Sequence, residues 1–345
     1  MRTIAFLLIP FLTACCALAQ MNSVPPQAEI SNGQLRVNLY LPDARIGFYR
    51  GTRFDWSGVI ANLVFQGHSF YGPWFTGTDP SVSDFIYKGT AEIIAGPCSA
   101  ITGPVEEFNP ALGYEDAKPG GTFLKIGVGI LRKLNNNPYS AYQLYPIVNG
   151  GTWSVTKGAD SIEFTQELHD QTSGYGYIYT KKISLTSGKA EMVMGQSLKN
   201  VGRVAIHANV YNHNFLVLDH QPTSAAFSIT LPFDLKVDHA PDPKLAEVVK
   251  NQLLYRSTLV GEDRVYFNIE GFGKSADDYK FHLENSKSKV GMTITGDRPL
   301  YKVALWSIRS VIALEPFVDV SVEPGSESTW KYHYEYYTLP NAGKA

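Results

Sequence analysis

From Leu35 to Tyr337 the sequence is a succession of short runs in which apolar and polar residues alternate with a period of two, among them LRVNLYL, SIEFTQEL, AEMVMGQSL, VAIHANVY and KYHYEYY. Side chains on a β-strand point to opposite faces in turn, so this period marks strands with one buried and one wetted face. Turn residues separate the runs, as in an antiparallel all-β fold. Only Pro243 to Leu253 reads as a helix: Asp242 would be its N-cap, Pro243 its first residue, and Leu245, Val248 and Val249 its apolar face. No fixed-period repeat or long low-complexity linker divides the strands, and the expectation is a single domain over residues 30 to 338. Within it, ITGPVEEFNPALGYEDAKPGG (101 to 121) is glycine- and proline-bearing and acidic, and reads as a long functional or mobile loop.

The first residues, MRTIAFLLIPFLTACCALAQ, place one Arg before an apolar run and small residues before Gln20, the pattern of a secretory signal over residues 1 to 19. The run is too short for the ~20 residues of a membrane helix. Leu12-Thr13-Ala14-Cys15 competes as a lipoprotein box in which Cys15 would carry lipid. The expectation is export to a periplasmic or extracellular location, with a membrane reached only through that lipid. Cleavage before Gln20 would leave Cys98 alone, so no intramolecular disulfide could form.

With 30 basic against 32 acidic residues and no long run of either sign, nothing favours nucleic acid as a partner. Twenty Tyr, 18 Phe and 5 Trp suit pleated sheets and also offer flat faces on which a sugar ring can stack. Several motifs fail on context. Gly127-Val128-Gly129 lacks the third glycine and the βαβ unit of a phosphate loop and reads as a tight strand crossing; Gly67 to Tyr71 lacks the final glycine and helix of a nucleophile elbow. His213 and His220, seven apart, would face opposite ways on a straight strand, which argues against a metal site with Asp219.

In VAIHANVYNH the even positions Val204, Ile206, Ala208 and Val210 are apolar, and the odd positions His207, Asn209, Tyr211 and His213 are polar or aromatic. One face is core, and the other is a row of hydrogen-bonding groups. Near the C-terminus Glu315 follows the apolar run Val311 to Leu314. A carboxylate at the end of a buried strand is poorly solvated, which raises its pKa and makes it a competent general base.

Taken together these segments resemble the aldose 1-epimerase (galactose mutarotase-like) superfamily. Leu198-Lys199-Asn200-Val201-Gly202 leads to Asn212-His213-Asn214-Phe215; Glu315 precedes Pro324-Gly325-Ser326-Glu327 and an aromatic stretch from Trp330 to Tyr337. Asp160-Ser161-Ile162, Tyr177 to Leu185 and Leu231-Pro232-Phe233-Asp234 fall in the family's order. The resemblance implies an antiparallel β-supersandwich with one or two short helices, a mono- or oligosaccharide in the concave cleft, and anomer interconversion by ring opening, without cofactor or metal. Carried over, Glu315 would be the base and His213 the acid. Asn212 and Tyr211 beside it, with Arg53, Asp55 and Trp74 from turn-rich segments and with Lys125, Lys133 or Arg53 in place of the family's sugar-binding arginine, would bind the sugar, the asparagines also orienting His213. The family's first-half histidine has no counterpart, since no histidine lies between His68 and His169. A carbohydrate-binding protein without turnover, and a polysaccharide lyase using Tyr211 or His213 as base, are the alternative readings. Mass spectrometry of protein recovered from outside the cytoplasm is expected to show a chain starting at Gln20; a lipid-bearing Cys15 would contradict it.

Overall fold

The computed structural model describes residues 24–340; the leader and Cys15 lie outside them. Two antiparallel sheets pack face to face. A ten-stranded sheet runs from the edge strand Thr152–Lys157 through Gly176–Leu185, Glu191–Asn200 and Glu327–Thr338 to Ala246–Val249 at its other edge. A six-stranded sheet has the order Lys236–Val237, Arg264–Glu270, Lys302–Ile308, Val311–Val322, Ile206–Leu216, Gly103–Asn109. Their inner faces carry the side chains that the alternating runs set inward, among them Tyr177, Ile183, Met194, Trp330, Val210, Leu314 and Val318. Smaller sheets from the first 150 residues cover the other face of the six-stranded sheet, where a second apolar cluster gathers Phe54, Trp74, Phe123, Tyr145, Phe215 and Val311. The outer face of the six-stranded sheet is therefore a covered cleft.

The all-β expectation holds, with two 3-10 turns, Leu218–His220 and Ala276–Asp278, as the helical content among the described residues. The expected helix at 243–253 is instead a hairpin, Ala246–Val249 paired with Gln252–Tyr255. Asp242 does begin a turn, its side chain accepting from the Lys244 amide at 2.9 Å and its carbonyl from Leu245 and Ala246. Pairing then wins, because β-branched Val248 and Val249 fit a strand edge and Gln252–Tyr255 also pairs with Phe227–Thr230.

The expected loop at 101–121 contains the strand Gly103–Asn109, paired along Ile206–Leu216. It is buried on both faces, including Glu106 and Glu107, so it shows no alternation. Ile206–Leu216 alternates only as far as Val210 and is buried on both faces from Tyr211 onward; Val204 precedes it and is exposed. Gly127 is a tight crossing between Thr122–Lys125 and Gly129–Arg132, at φ +78°, and a Cβ there would lie 2.7 Å from Asp55.

Because side chains alternate, Glu106 and Glu107 face different layers. Glu106 points between the sheets, where Lys181 bridges it to Asp55, all three side chains being fully buried. Asp55 also accepts from Tyr179 (3.1 Å) and the Ser57 amide and hydroxyl, Glu106 from Gln196 at 2.6 Å, and Lys181 donates to the Ser57 carbonyl. Every member has partners, which a buried ionic cluster needs to offset desolvation. Lys181→Met, leaving two carboxylates without their cation, is expected to lower unfolding free energy by about 3–5 kcal/mol in urea titrations. A loss below about 1 kcal/mol would contradict this role.

Candidate active site

The site is built on adjacent strands whose register fixes which side chains meet. Ile206–Leu216 and Val311–Val322 pair Asn214 with Leu314 and Tyr211 with Phe317, which sets His213 across from Glu315. Ala304, opposite Glu315 on the next strand, leaves open space beside the carboxyl. One row further along, Phe215, Ala313, Trp306 and Tyr266 follow one another across the sheet. An open pocket of about 150 Å³ lies over these rows, smaller than the roughly 300–1,000 Å³ of an enclosed ligand site and continuous with solvent at its mouth.

His213 Nε2 lies 3.3 Å from Glu315 Oε1, at the floor of the pocket. The imidazole stacks on Phe215 at 3.7 Å between centroids and meets Phe54 and Trp306 edge-on, while its Nδ1 is buried without a hydrogen-bond partner. An imidazolium needs an acceptor for each N–H, so this setting disfavours the charged ring. Burial first, and the Arg53 charge second, hold His213 well below its usual range. Burial also pushes Glu315 up to about 7, against the downward pull of Arg53. Shifts of opposite sense in touching groups leave a neutral imidazole beside a carboxyl that gains and loses its proton near neutrality.

Arg53 enters the pocket from the loop above. Its Nε donates to Glu107 Oε2 at 2.8 Å and its Nη2 to the Tyr211 hydroxyl at 2.9 Å, and the guanidinium lies over Phe54 and Tyr142. Behind it, Lys125 donates to Glu107 Oε1 at 3.1 Å and to the Phe108 carbonyl. Burial favours a protonated Glu107, but Lys125 and Arg53 together outweigh it and hold the carboxyl below the usual range. Glu107 thus fixes Arg53 in place, and Lys125 neutralises the carboxylate that does so.

The expected site residues divide. His213, Glu315, Arg53 and Trp74 line the pocket, Trp74 as a wall parallel to Phe215 at 5.9 Å. Tyr211 and Lys125 stand behind: the Tyr211 hydroxyl donates to Glu107 at 2.5 Å and its ring stacks on Phe317, while Lys125 is wholly buried. Asp55 is not a cleft residue, for it sits between the sheets on Lys181. Asn212 is corrected too. Strand alternation turns it and Asn214 away from His213 to the inner face, where Asn212 donates to the Tyr334 hydroxyl, which donates in turn to Asn214. The asparagines therefore tie the two sheets together and do not reach a sugar beside His213.

Pocket residues that the sequence reading missed include Asp84, Ser99, Tyr142, Tyr266 and Trp306. Ser99 donates to Asp84 at 2.5 Å, and burial raises the pKa of that carboxyl. Trp306 and Tyr266 were legible in principle, as aromatic residues at polar-face positions of YKVALW and RVYFNI. Among the described residues no group of three or more His, Cys, Asp or Glu is placed to hold a metal ion.

No protein-family model matches the chain, and no curated protein does. Solved structures do match over its length. The Slr1438 protein of Synechocystis sp. PCC 6803 superposes with a TM-score of 0.53 at 13% identity, covering 98% of this chain and all of its own. A GalM/aldose epimerase homologue from C. elegans gives 0.53 at 14% identity, covering 92% and 100% of the two chains. A galactose mutarotase related enzyme from Lactobacillus acidophilus gives 0.52 at 12%, covering 92% and 99%. Such identities speak to fold and not to activity. The chain has the galactose mutarotase-like β-supersandwich fold, as a divergent representative of it.

Proposed function

We propose that this protein is an exported aldose 1-epimerase-like enzyme that interconverts sugar anomers by acid/base ring opening. The observation that carries the reading is the contact of Glu315 with a partner-poor, neutral His213 inside an open pocket on this fold. The leader-like start of the sequence supports export.

Ring opening takes a proton from the anomeric hydroxyl and gives one to the ring oxygen; closure on either face reverses both transfers. The Glu315–His213 pair can do this with one shared proton. One member accepts the hydroxyl proton while the other releases its own, and the pair's net charge stays constant. With His213 held neutral, the resting proton sits on Glu315 below about pH 7. Glu315 as base and His213 as acid is the sense in which the open chain forms from the charged pair; the resting protonation favours the opposite sense. Arg53, immobilised by Glu107 and Tyr211, is set to hydrogen-bond sugar hydroxyls without rearranging.

The charges fit a neutral ligand. Arg53 and Lys125 against Glu107 leave one positive charge, which the Asp84 carboxyl beside Arg53 offsets. For a uronate lyase, Lys125 is buried on Glu107 and the Tyr211 hydroxyl already donates to it, which leaves His213 as base and Arg53, itself paired with Glu107, as the cation for the substrate carboxylate. A binding protein without turnover would leave the opposed shifts of Glu315 and His213 without a use.

Polarimetric mutarotation of fresh aldoses is expected to be accelerated by the native protein and at least ~10²-fold less by Glu315→Gln or His213→Asn. Sugar binding without acceleration would favour the binding-protein reading. The native rate is expected to fall as pH rises through about 7, when the shared proton leaves Glu315.

The same shift predicts a stability effect. A carboxyl whose folded pKa lies above its unfolded value of 4.5 contributes most below that value, and loses the contribution as pH rises towards 7. Glu315→Gln should therefore match the native protein near pH 4 and exceed its stability near pH 8, by about 3 kcal/mol at most. Equal stability at both pH values would contradict a desolvated carboxyl.

A further inference from the structure

We infer that Tyr266, with the adjoining Trp306, forms an outer subsite that holds the second ring of a reducing disaccharide or longer oligosaccharide. The terminal reducing sugar would sit on Glu315 and His213, so the inference rests on the mutarotation reading above.

Tyr266 is 43% exposed, yet it lines the same pocket as Glu315. An exposed ring inside a concave site, unlike one scattered on a convex surface, has a ligand's reach to explain it. The register places it. Tyr266 pairs with Trp306 and Ala304 with Glu315, so Tyr266 stands on the cleft face two strands from the carboxyl. Two strand spacings are about 9–10 Å of sheet, more than a single pyranose on Glu315 spans.

The lane between them is built and continues outward. Trp306 is braced edge-on by Trp74 at 5.5 Å and by Phe85 at 5.7 Å, which fixes its orientation. Beyond Tyr266 the His239 ring follows at 6.4 Å, next to Asp238, whose carboxylate holds the Asn268 side chain at 2.6 Å. Asn268 lies in the same row as Glu315 and Ala304. Aromatic faces followed by hydrogen-bonding groups match the alternation of C–H faces and hydroxyls in a neutral sugar chain. The anomeric carbon must stay free for ring opening, so the second unit is attached through another position of the terminal sugar.

Calorimetric affinities and polarimetric kcat/KM for glucose and galactose, compared with maltose, cellobiose and lactose, test this in the native protein, Tyr266→Ala and Tyr266→Phe. At least one disaccharide is expected to surpass its reducing-end monosaccharide by about three- to tenfold, the scale of one aromatic stacking contact. That ratio should fall to near one in Tyr266→Ala and persist in Tyr266→Phe, which keeps the ring. Disaccharides no better than monosaccharides, or a ratio indifferent to Tyr266→Ala, while glucose or galactose still turns over, would overturn the subsite and leave mutarotation standing. Absence of binding and turnover with every sugar would overturn both.

Discussion

The site depends on two neighbouring stretches, Gly103–Asn109 and the part of Ile206–Leu216 from Tyr211 onward, being buried on both faces. On such strands each successive side chain serves a different environment, and polar residues on either face must find partners inside the protein. Glu106 goes to Lys181 between the sheets, whereas Glu107 goes to Arg53 and Lys125 under the cleft. Asn212 and Asn214 go to Tyr334, and His213 between them goes to Glu315. A one-residue slip of the histidine strand would exchange these sets, burying an imidazole against tyrosines and pointing amides into the pocket. The inner hydrogen bonds of the asparagines thus hold the register on which the outer contact of His213 rests.

How much of this was legible follows from that constraint. Where one face is wet, as in Ser161–His169 or Glu327–Thr338, alternation is clean and the strands were read correctly. Where both faces are covered, the pattern vanishes, and Gly103–Asn109 reads in sequence as part of an acidic loop. The same two-sided burial explains the misreading of Asn212: sequence neighbours of a site residue on a strand are the residues least able to share its site. Asp55 was misplaced for a related reason. Two residues from Arg53 in the chain, it drops through the layer to a different cation. The supposed helix at 243–253 carried true start signals, but its strand partners at Phe227–Thr230 lie in another part of the sequence. His213 and Glu315 stand out on two local patterns, to which the family resemblance adds their roles, and their contact required a register that no local pattern contains.

The chemistry follows from desolvation acting on two groups of opposite charge type. Burial disfavours the carboxylate of Glu315 and the imidazolium of His213 alike, which moves their pKa values in opposite directions. Arg53 works against the first shift and with the second. Because Arg53 is itself held by Glu107 and Tyr211, its charge stays in place and does not collapse onto Glu315 as a simple ion pair. On the proposed reading, a divergent sequence lacking the expected first-half histidine keeps a proton-transfer pair at neutral pH, beside a guanidinium fixed by Glu107 and Tyr211.

Everything proposed for the site rests on Glu315 being a desolvated carboxyl that exchanges its proton near neutrality against a neutral His213. Carbon-13 NMR titration of glutamate side-chain carboxyls, with Glu315→Gln identifying the resonance, measures this directly. A desolvated Glu315 titrates with a midpoint near 7. A midpoint near the ordinary glutamate value of about 4.3 would show a solvated carboxylate and contradict it.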